Sequence, residues 1–335
     1  MSTLRASDDA EVRARLERAL AETRGRAVAV AEISRRPFEY ETSFAIDALD
    51  VRLADGERLE LVVKDVGPAG LSAAGAEVKP AATLEPRREV FVYRELLAPG
   101  AISAPRFHGA WLGRGREGWI FLERVPGEVL TDVGEVEAWR QAAAWAGRLD
   151  AAARPAGSAG SSLLLRRDAA WHGRRIEAAA AALSAAGGGD EAALAGRLRG
   201  DRDRLAARLD ALPQAFLHGE LYASNVLVER GDGAPRIAPV DWELAGLGPY
   251  ALDLAALVVG WGEEERLAMV AAFREALPPR LRERGLERVA EDTDLCRLAL
   301  AVQWIGWSPG WQPPEDHRRD WAAEATELLD RVLPR

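Results

Sequence analysis

The chain has 335 residues against the roughly 150 of an average domain, so two domains or one two-lobed unit are expected. Hydrophobic residues make up 48%, enough for a large core, and global disorder is excluded. Acids outnumber bases by 53 to 44, a net charge of −9, which argues against a nucleic-acid binder and leaves a neutral or cationic small molecule as partner.

Residues 1–10 hold Arg5, Asp8 and Asp9 and no apolar run, so no signal peptide is expected. Residues 8–24 predict an amphipathic helix: Asp8 and Glu11 have capping-box spacing, Val12, Leu16 and Leu20 share a face, and Gly25 stops it. Strands follow at 27–33, 43–53 and 59–64, the last two joined by the turn Asp55-Gly56. Residues 67–86 read as a loop or weak helix, and 87–97 as a helix with Val90, Tyr93 and Leu97 on one face. Two more strands, 106–112 and 119–123, flank Gly113-Arg114-Gly115. Val125-Pro126-Gly127 marks a boundary, giving lobes 1–123 and 124–335.

Beyond it the pattern is helical: 134–153, 169–186, 190–211, 251–275 with a break near Gly262, 291–306 and 315–333. One island of strand stands among them, at 215–218, 226–229 and 236–240. The best apolar stretch, 254–261, is far shorter than the ~20 residues that span a bilayer. One cysteine, Cys296, excludes a disulfide framework, and with four histidines leaves little for a structural zinc site. A soluble cytoplasmic protein is expected, with no nucleic-acid or membrane partner.

The informative residues lie in that island. If 226–229 and 236–240 pair as a hairpin, Asn225 entering one strand lies beside Asp241 leaving the other. An amide oxygen and a carboxylate then converge, donors suited to a hard cation such as Mg2+. Glu220, five residues earlier, can point into the same cleft.

His218-Gly219-Glu220, four residues, Asn225, then Asp241 and Asp253-Leu254-Ala255 resemble the aminoglycoside phosphotransferase and choline kinase-like family, which has the protein-kinase-like fold. The resemblance covers roughly residues 27–262. It implies an α+β chain of two lobes: a small one with a five-stranded antiparallel sheet and one packed helix, and a larger helical one. It implies an ATP-dependent kinase for a small hydroxylated acceptor, with ATP between the lobes and Mg2+ on Asn225 and Asp241. Glu220 would act as the catalytic carboxylate, Lys64 would hold the α and β phosphates, and Glu89 would pair with Lys64. Glu95 is a rival to Glu89, but the helical position favours Glu89. Glu123 and Val125 would meet the adenine through backbone C=O and N–H. His218 would be a scaffold histidine and Asp253 a brace for the loop. Only Lys64 and Lys79 are lysines among the 44 basic residues, so a lysine here can mark a place that suits a compact charge.

Two departures stand out. Glu220 occupies a place where the family usually has Asp, and its reach is longer by on the order of 1.5 Å. The loop 34–43 has no glycine; either Arg35, Arg36, Thr42 and Ser43 cover the phosphates, or it is a stiff turn with solvated charges. Both departures support an alternative, a catalytically idle nucleotide binder acting through partners. A protein kinase is disfavoured, because no Ala-Pro-Glu-like end of an activation segment follows Asp241. On the acceptor side, Glu263 to Glu265, Glu291, Asp292, Asp294, Glu315 and Asp316 with Trp261, Trp304, Trp307 and Trp311 would suit a polyamine sugar or amino alcohol. The plain alternative is solvated helix starts and core tryptophans.

Overall fold

A computed structural model describes residues 2–38, 43–72, 75, 83–97, 100, 102–153, 160–307 and 319–333. Lys79, Thr42, Trp311, Glu315 and Asp316 lie outside the described residues. Helix α1 (Asp9–Arg24) begins where the Asp8 side chain accepts from the Glu11 N–H, and it ends at Gly25, φ +65°. The first feature satisfies an orphan donor and the second is the left-handed conformation that glycine enters without steric cost.

The small lobe is one antiparallel sheet. Its strands are β1 (Val30–Pro37), β2 (Ile46–Leu53) and β3 (Arg58–Asp65). After them comes helix α2 (Pro86–Phe91), which continues as a π-helical segment over Val92–Leu97. Strands β4 (Phe107–Leu112) and β5 (Gly118–Glu123) complete the sheet in the order β1-β2-β3-β5-β4. Side chains alternate along β3. Leu59, Leu61 and Val63 therefore join Val12, Leu16 and Leu20 of α1 in one buried cluster with Trp119 and Phe121. Val62 packs against the other cluster, the one that includes the helical lobe, and Lys64 stands on that same side of the strand. The alternation thus turns Lys64 toward the second lobe.

The chain crosses at residues 124–127. The larger lobe opens with β6 (Glu128–Val129) and α3 (Val136–Ala153), then β7 (Leu165–Arg166) and α4 (Ala169–Ala186), which ends at Gly187, φ +79°. The helix expected over 190–211 is two, α5 (Gly189–Gly200) and α6 (Arg202–Asp210), parted at Asp201. Strands β8 (Gln214–Leu217), β9 (Val226–Glu229), β10 (Arg236–Pro239) and β11 (Gly246–Pro249) follow. They form two small sheets, β10-β9-β6 and β7-β11-β8. Helices α7 (Leu252–Leu257), α8 (Glu263–Ala276), α9 (Leu286–Trp307) and α10 (Trp321–Val332) close the lobe. The expected break near Gly262 is the gap between α7 and α8. Among the described residues no helix is long and apolar enough to cross a membrane.

Candidate active site

The β9–β10 hairpin sets the register of the site. Val226 pairs with Pro239 and Glu229 with Arg236, and the Val240 N–H donates to the Asn225 carbonyl at 2.9 Å. Asn225 and Asp241 thus leave the hairpin side by side. Asp241 has φ +69°, the one non-glycine residue with positive φ among the described residues. Aspartate tolerates that region better than most residues.

Lys64 bridges the lobes. Its Nζ lies 2.8 Å from Glu89 Oε2 and 2.5 Å from Asp241 Oδ1. Burial alone would push its pKa down; Asp241 and then Glu89 outweigh this and hold the ammonium above the ordinary lysine value. Burial pushes Glu89 upward in spite of Lys64. Its second oxygen accepts from the Trp242 N–H at 3.3 Å, so Glu89 touches both the lysine and the chain just after Asp241. Glu95 lies on the π-helical continuation of α2, and no contact with Lys64 is seen for it. Arg88, next to Glu89, donates to the carbonyls of Leu163 at 2.6 Å, Thr83 at 2.7 Å and Glu243 at 2.5 Å, pinning α2 to the larger lobe.

The loop 218–225 is held by its backbone. Asp253 accepts from the His218 N–H at 2.7 Å and the Gly219 N–H at 2.9 Å. Burial raises the Asp253 pKa to about 6 against those two bonds. The same burial pushes His218 down to about 4, so the ring is neutral. Its Nε2 bonds the Val240 carbonyl at 2.8 Å, and its Nδ1 accepts from the Glu220 N–H at 3.3 Å. Both ring nitrogens are thereby used in shaping the loop, a scaffold arrangement. Gly219 has φ +93°, and a Cβ there would stand 2.3 Å from the Leu244 carbonyl oxygen. The Asn225 amide closes the loop by donating to the Glu220 carbonyl at 2.9 Å.

A carboxylate cluster results. Oxygens of Glu220, Asp241 and Glu243 all lie within 4.8 Å of one another. Hard oxygen donors at this spacing fit a divalent cation of the Mg2+ type. Glu243 was not anticipated; its signal in the sequence is the spacing Asp241-x-Glu243. Arg167, buried against the loop, was also missed. Its Nη2 donates to the Leu244 carbonyl at 2.7 Å.

The hinge residues lie apart from this cluster. Glu123 ends β5, and its N–H donates to the Arg106 carbonyl at 2.9 Å, while its carboxylate accepts from Arg236 at 2.7 and 2.8 Å. The Val125 carbonyl accepts from the Gly127 N–H at 2.9 Å. Neither backbone bond uses the Glu123 carbonyl or the Val125 N–H, the groups the hinge reading requires. Loop arginines have other employment: Arg35 pairs with Asp47 at 2.6 Å and Arg36 with Asp50 at 2.5 Å.

Four acids of the candidate acceptor wall are paired with arginines. Asp294 is paired with Arg266 at 3.3 Å, and with Arg297 and Arg331 at 3.0 Å each. Asp292 binds Arg284 at 2.7 Å, Arg288 at 3.1 Å and the Tyr250 hydroxyl at 2.9 Å. Glu263 pairs with Arg266 and Glu291 with Arg288 on helix surfaces. These acids are bound to arginines because the helices around them are arginine-rich.

A model of the phosphotransferase enzyme family matches residues 41–291, more than half of the chain, and the chain belongs to that family. Viomycin phosphotransferase of Streptomyces vinaceus is 48% identical over 73 residues, 21% of this chain. That match spans only about a quarter of the curated relative's length. Among solved structures, the GDP complex of an aminoglycoside 2'-phosphotransferase superposes with TM-score 0.55 at 14% identity, covering 93% of this chain and 95% of that one. Choline kinase of Cryptosporidium parvum gives 0.55 at 13% identity, covering 90% and 88%. At such identities the likeness is one of fold, the protein-kinase-like fold of two lobes.

Proposed function

We propose that this chain is an ATP-dependent phosphotransferase that moves the γ-phosphoryl group to a hydroxyl of a small molecule. The observation that carries the proposal is the Lys64 ammonium, held by one acid from each lobe at 2.8 and 2.5 Å. A buried cation poised between the lobes is where a polyphosphate would be received. Lys64 binds the phosphate charge, and Glu89 keeps its ammonium in place. Asp241, Glu243 and the side-chain oxygen of Asn225 would hold Mg2+, which neutralises charge on the phosphates when bound. Glu220 accepts the proton of the acceptor hydroxyl and orients its oxygen. The Glu123 carbonyl and Val125 N–H would meet the adenine.

Phosphoryl transfer depends mainly on positioning and charge neutralisation, so the longer Glu220 arm is compatible with turnover. The test is acceptor-dependent ADP release with Mg·ATP in the parent and in Asp241→Asn. Loss of release in the variant, with the melting temperature kept, is expected. Equal release in both would instead fit an idle nucleotide binder.

A further inference from the structure

The turn that follows Asp241 is held from both lobes. It runs over Trp242–Leu244 and closes where the Ala245 N–H donates to the Trp242 carbonyl at 3.0 Å. The large lobe fixes its two ends. The Trp242 ring is fully buried and stacks on Phe216 at 6.0 Å, and its Nε1 donates to the Pro239 carbonyl at 3.2 Å. The Leu244 carbonyl accepts from Arg167 at 2.7 Å. Glu243 stands between these two anchors, and there the small lobe takes hold. Arg88 Nη1 donates to the Glu243 carbonyl at 2.5 Å, and the next residue of α2, Glu89, accepts from the Trp242 N–H at 3.3 Å. Consecutive residues of α2 thus grip consecutive residues of the turn, and that turn brings the Glu243 carboxylate to Glu220 and Asp241.

Arg88 is a costly group to place here. It is 4% exposed, and burial, followed by the charge of Arg167, pulls its pKa down to about 10. It remains a cation at neutral pH, and a buried cation carries a desolvation cost that a neutral tie would avoid. What the guanidinium adds is geometry. Its Nη1 spans the Glu243 carbonyl and the Thr83 carbonyl, the latter at 2.7 Å, while its Nε faces the Leu163 carbonyl at 2.6 Å. One rigid planar fork therefore sets three chain segments against one another, and one of the three carries a cation-site acid.

We propose that Arg88 is a positioning residue for the cation site: by tying the Glu243 main chain to α2, it sets where the Glu243 carboxylate meets Glu220 and Asp241. The inference rests on the phosphotransfer reading and concerns the cation site of that reading. Charge and position predict opposite signs. A guanidinium held against Glu243 repels a divalent cation, so an Arg88 that acted only by its charge would weaken cation binding, and its removal would strengthen it. An Arg88 that acts by position strengthens cation binding, and its removal weakens it.

The test is Mn2+ binding to the full chain without nucleotide, read from the electron paramagnetic resonance of free Mn2+. It compares the parent, Arg88→Gln, Arg88→Lys, Glu243→Gln and the double variant Arg88→Gln/Glu243→Gln, with a melting temperature for each. Arg88→Gln is expected to weaken Mn2+ binding about tenfold. Arg88→Lys keeps the charge, but its ammonium stops one bond short of Nη1, and a loss of about threefold is expected. The double variant is expected to bind within about twofold of Glu243→Gln alone, because Arg88 acts through that carboxylate. Unchanged or tighter Mn2+ binding in Arg88→Gln, losses that multiply in the double variant, or no Mn2+ bound by the parent overturns the inference. If Arg88→Gln does not fold, Arg88→Lys, by itself and combined with Glu243→Gln, is judged by the same outcomes. Mg·ATP then separates the two readings. The expected Mn2+ pattern in a chain that neither binds nor turns over Mg·ATP upholds the positioning role and overturns phosphotransfer. ADP release by the parent together with Mn2+ losses that multiply does the reverse.

Discussion

Two cations of the chain, Lys64 and Arg175, are housed in opposite ways. Lys64 is buried between two carboxylates, Glu89 and Asp241. Arg175 lies between two tryptophans, Trp171 and Trp307. The difference follows from what each cation is fitted to do. A compact ammonium can be shared by two acids that approach from different lobes, and it can exchange one of them for phosphate oxygens. A planar guanidinium stacks on indole and presents a fork of donors to one flat anion. This gives a physical reason for lysine at position 64 in a chain whose basic residues are otherwise almost all arginine.

The comparison breaks most sharply at Asp241. Asp241→Asn keeps a side chain that tolerates φ +69° but removes the charge that faces Lys64. The expected loss in kcat with Mg·ATP is about a thousandfold or more, read by steady-state kinetics, because a carboxylate proposed to hold Mg2+ goes. Asp241→Ala adds about 1 kcal/mol of left-handed backbone strain, so a lower melting temperature accompanies its loss of rate. Turnover at the parental rate in Asp241→Asn would remove the lysine triad from the chemistry.

Glu220 comes next. Glu220→Gln cannot take the hydroxyl proton, and a fall in kcat of about a hundredfold or more is expected, with the affinity for Mg·ATP little changed. Glu220→Asp shortens the reach and is expected to cost about tenfold, since the loop backbone is already fixed by His218, Asp253 and Gly219. A rate in Glu220→Asp above that of the parent would show that the loop is set for the shorter acid.

Regions of the molecule also differ in how far the sequence disclosed them. Helix α1, the strands of the small lobe and α4 follow from apolar period and punctuation, which act locally. The convergence of Asn225 and Asp241 is legible because a hairpin forces it. Strand β11 is not legible: Gly-Leu-Gly-Pro has poor strand propensity, and it pairs only because β8 and β7 flank it. The break at Asp201 has no glycine or proline signature beyond Gly200, which the helix pattern absorbs. Neither reading left open for the acids of α8 and α9 counted their arginines: Arg266, Arg288 and Arg297 stand one turn away on the same helices, and Arg331 of α10 reaches Asp294 once the helices pack. Arg167 had no motif to mark it, and only the fold brings it to the loop.

Glu243 sharpens the comparison by a smaller step. Its carboxylate joins the cluster with Glu220 and Asp241. Glu243→Gln is expected to raise the Mg2+ concentration for half-maximal rate about tenfold while kcat at saturating Mg2+ is largely kept. A change in kcat without a change in Mg2+ dependence would move Glu243 out of the cation site and into the support of Arg88, which grips its carbonyl.

At Asp253 a modest effect on rate is expected, and it turns on pH. Its pKa stands at about 6 in the folded chain, above the ordinary 3.8, because burial outweighs the two N–H donors. Between these values the folded chain keeps a proton that the unfolded chain has lost. The stability this group contributes is therefore complete below about pH 4 and is lost as pH rises through 6, by about 3 kcal/mol. Asp253→Asn cannot titrate, so the parent-minus-variant unfolding free energy should fall by that amount between pH 4 and 7 in denaturant melts. The rate runs the other way. The ionised carboxylate is the better acceptor for His218 and Gly219, so kcat should fall as pH drops through 6 in the parent. In Asp253→Asn, with one acceptor oxygen in place of two, kcat should be about fivefold lower at pH 8 and nearly flat down to pH 5. An acid limb near pH 6 that persists in Asp253→Asn would show that the brace acts on the loop's position without setting its pH response.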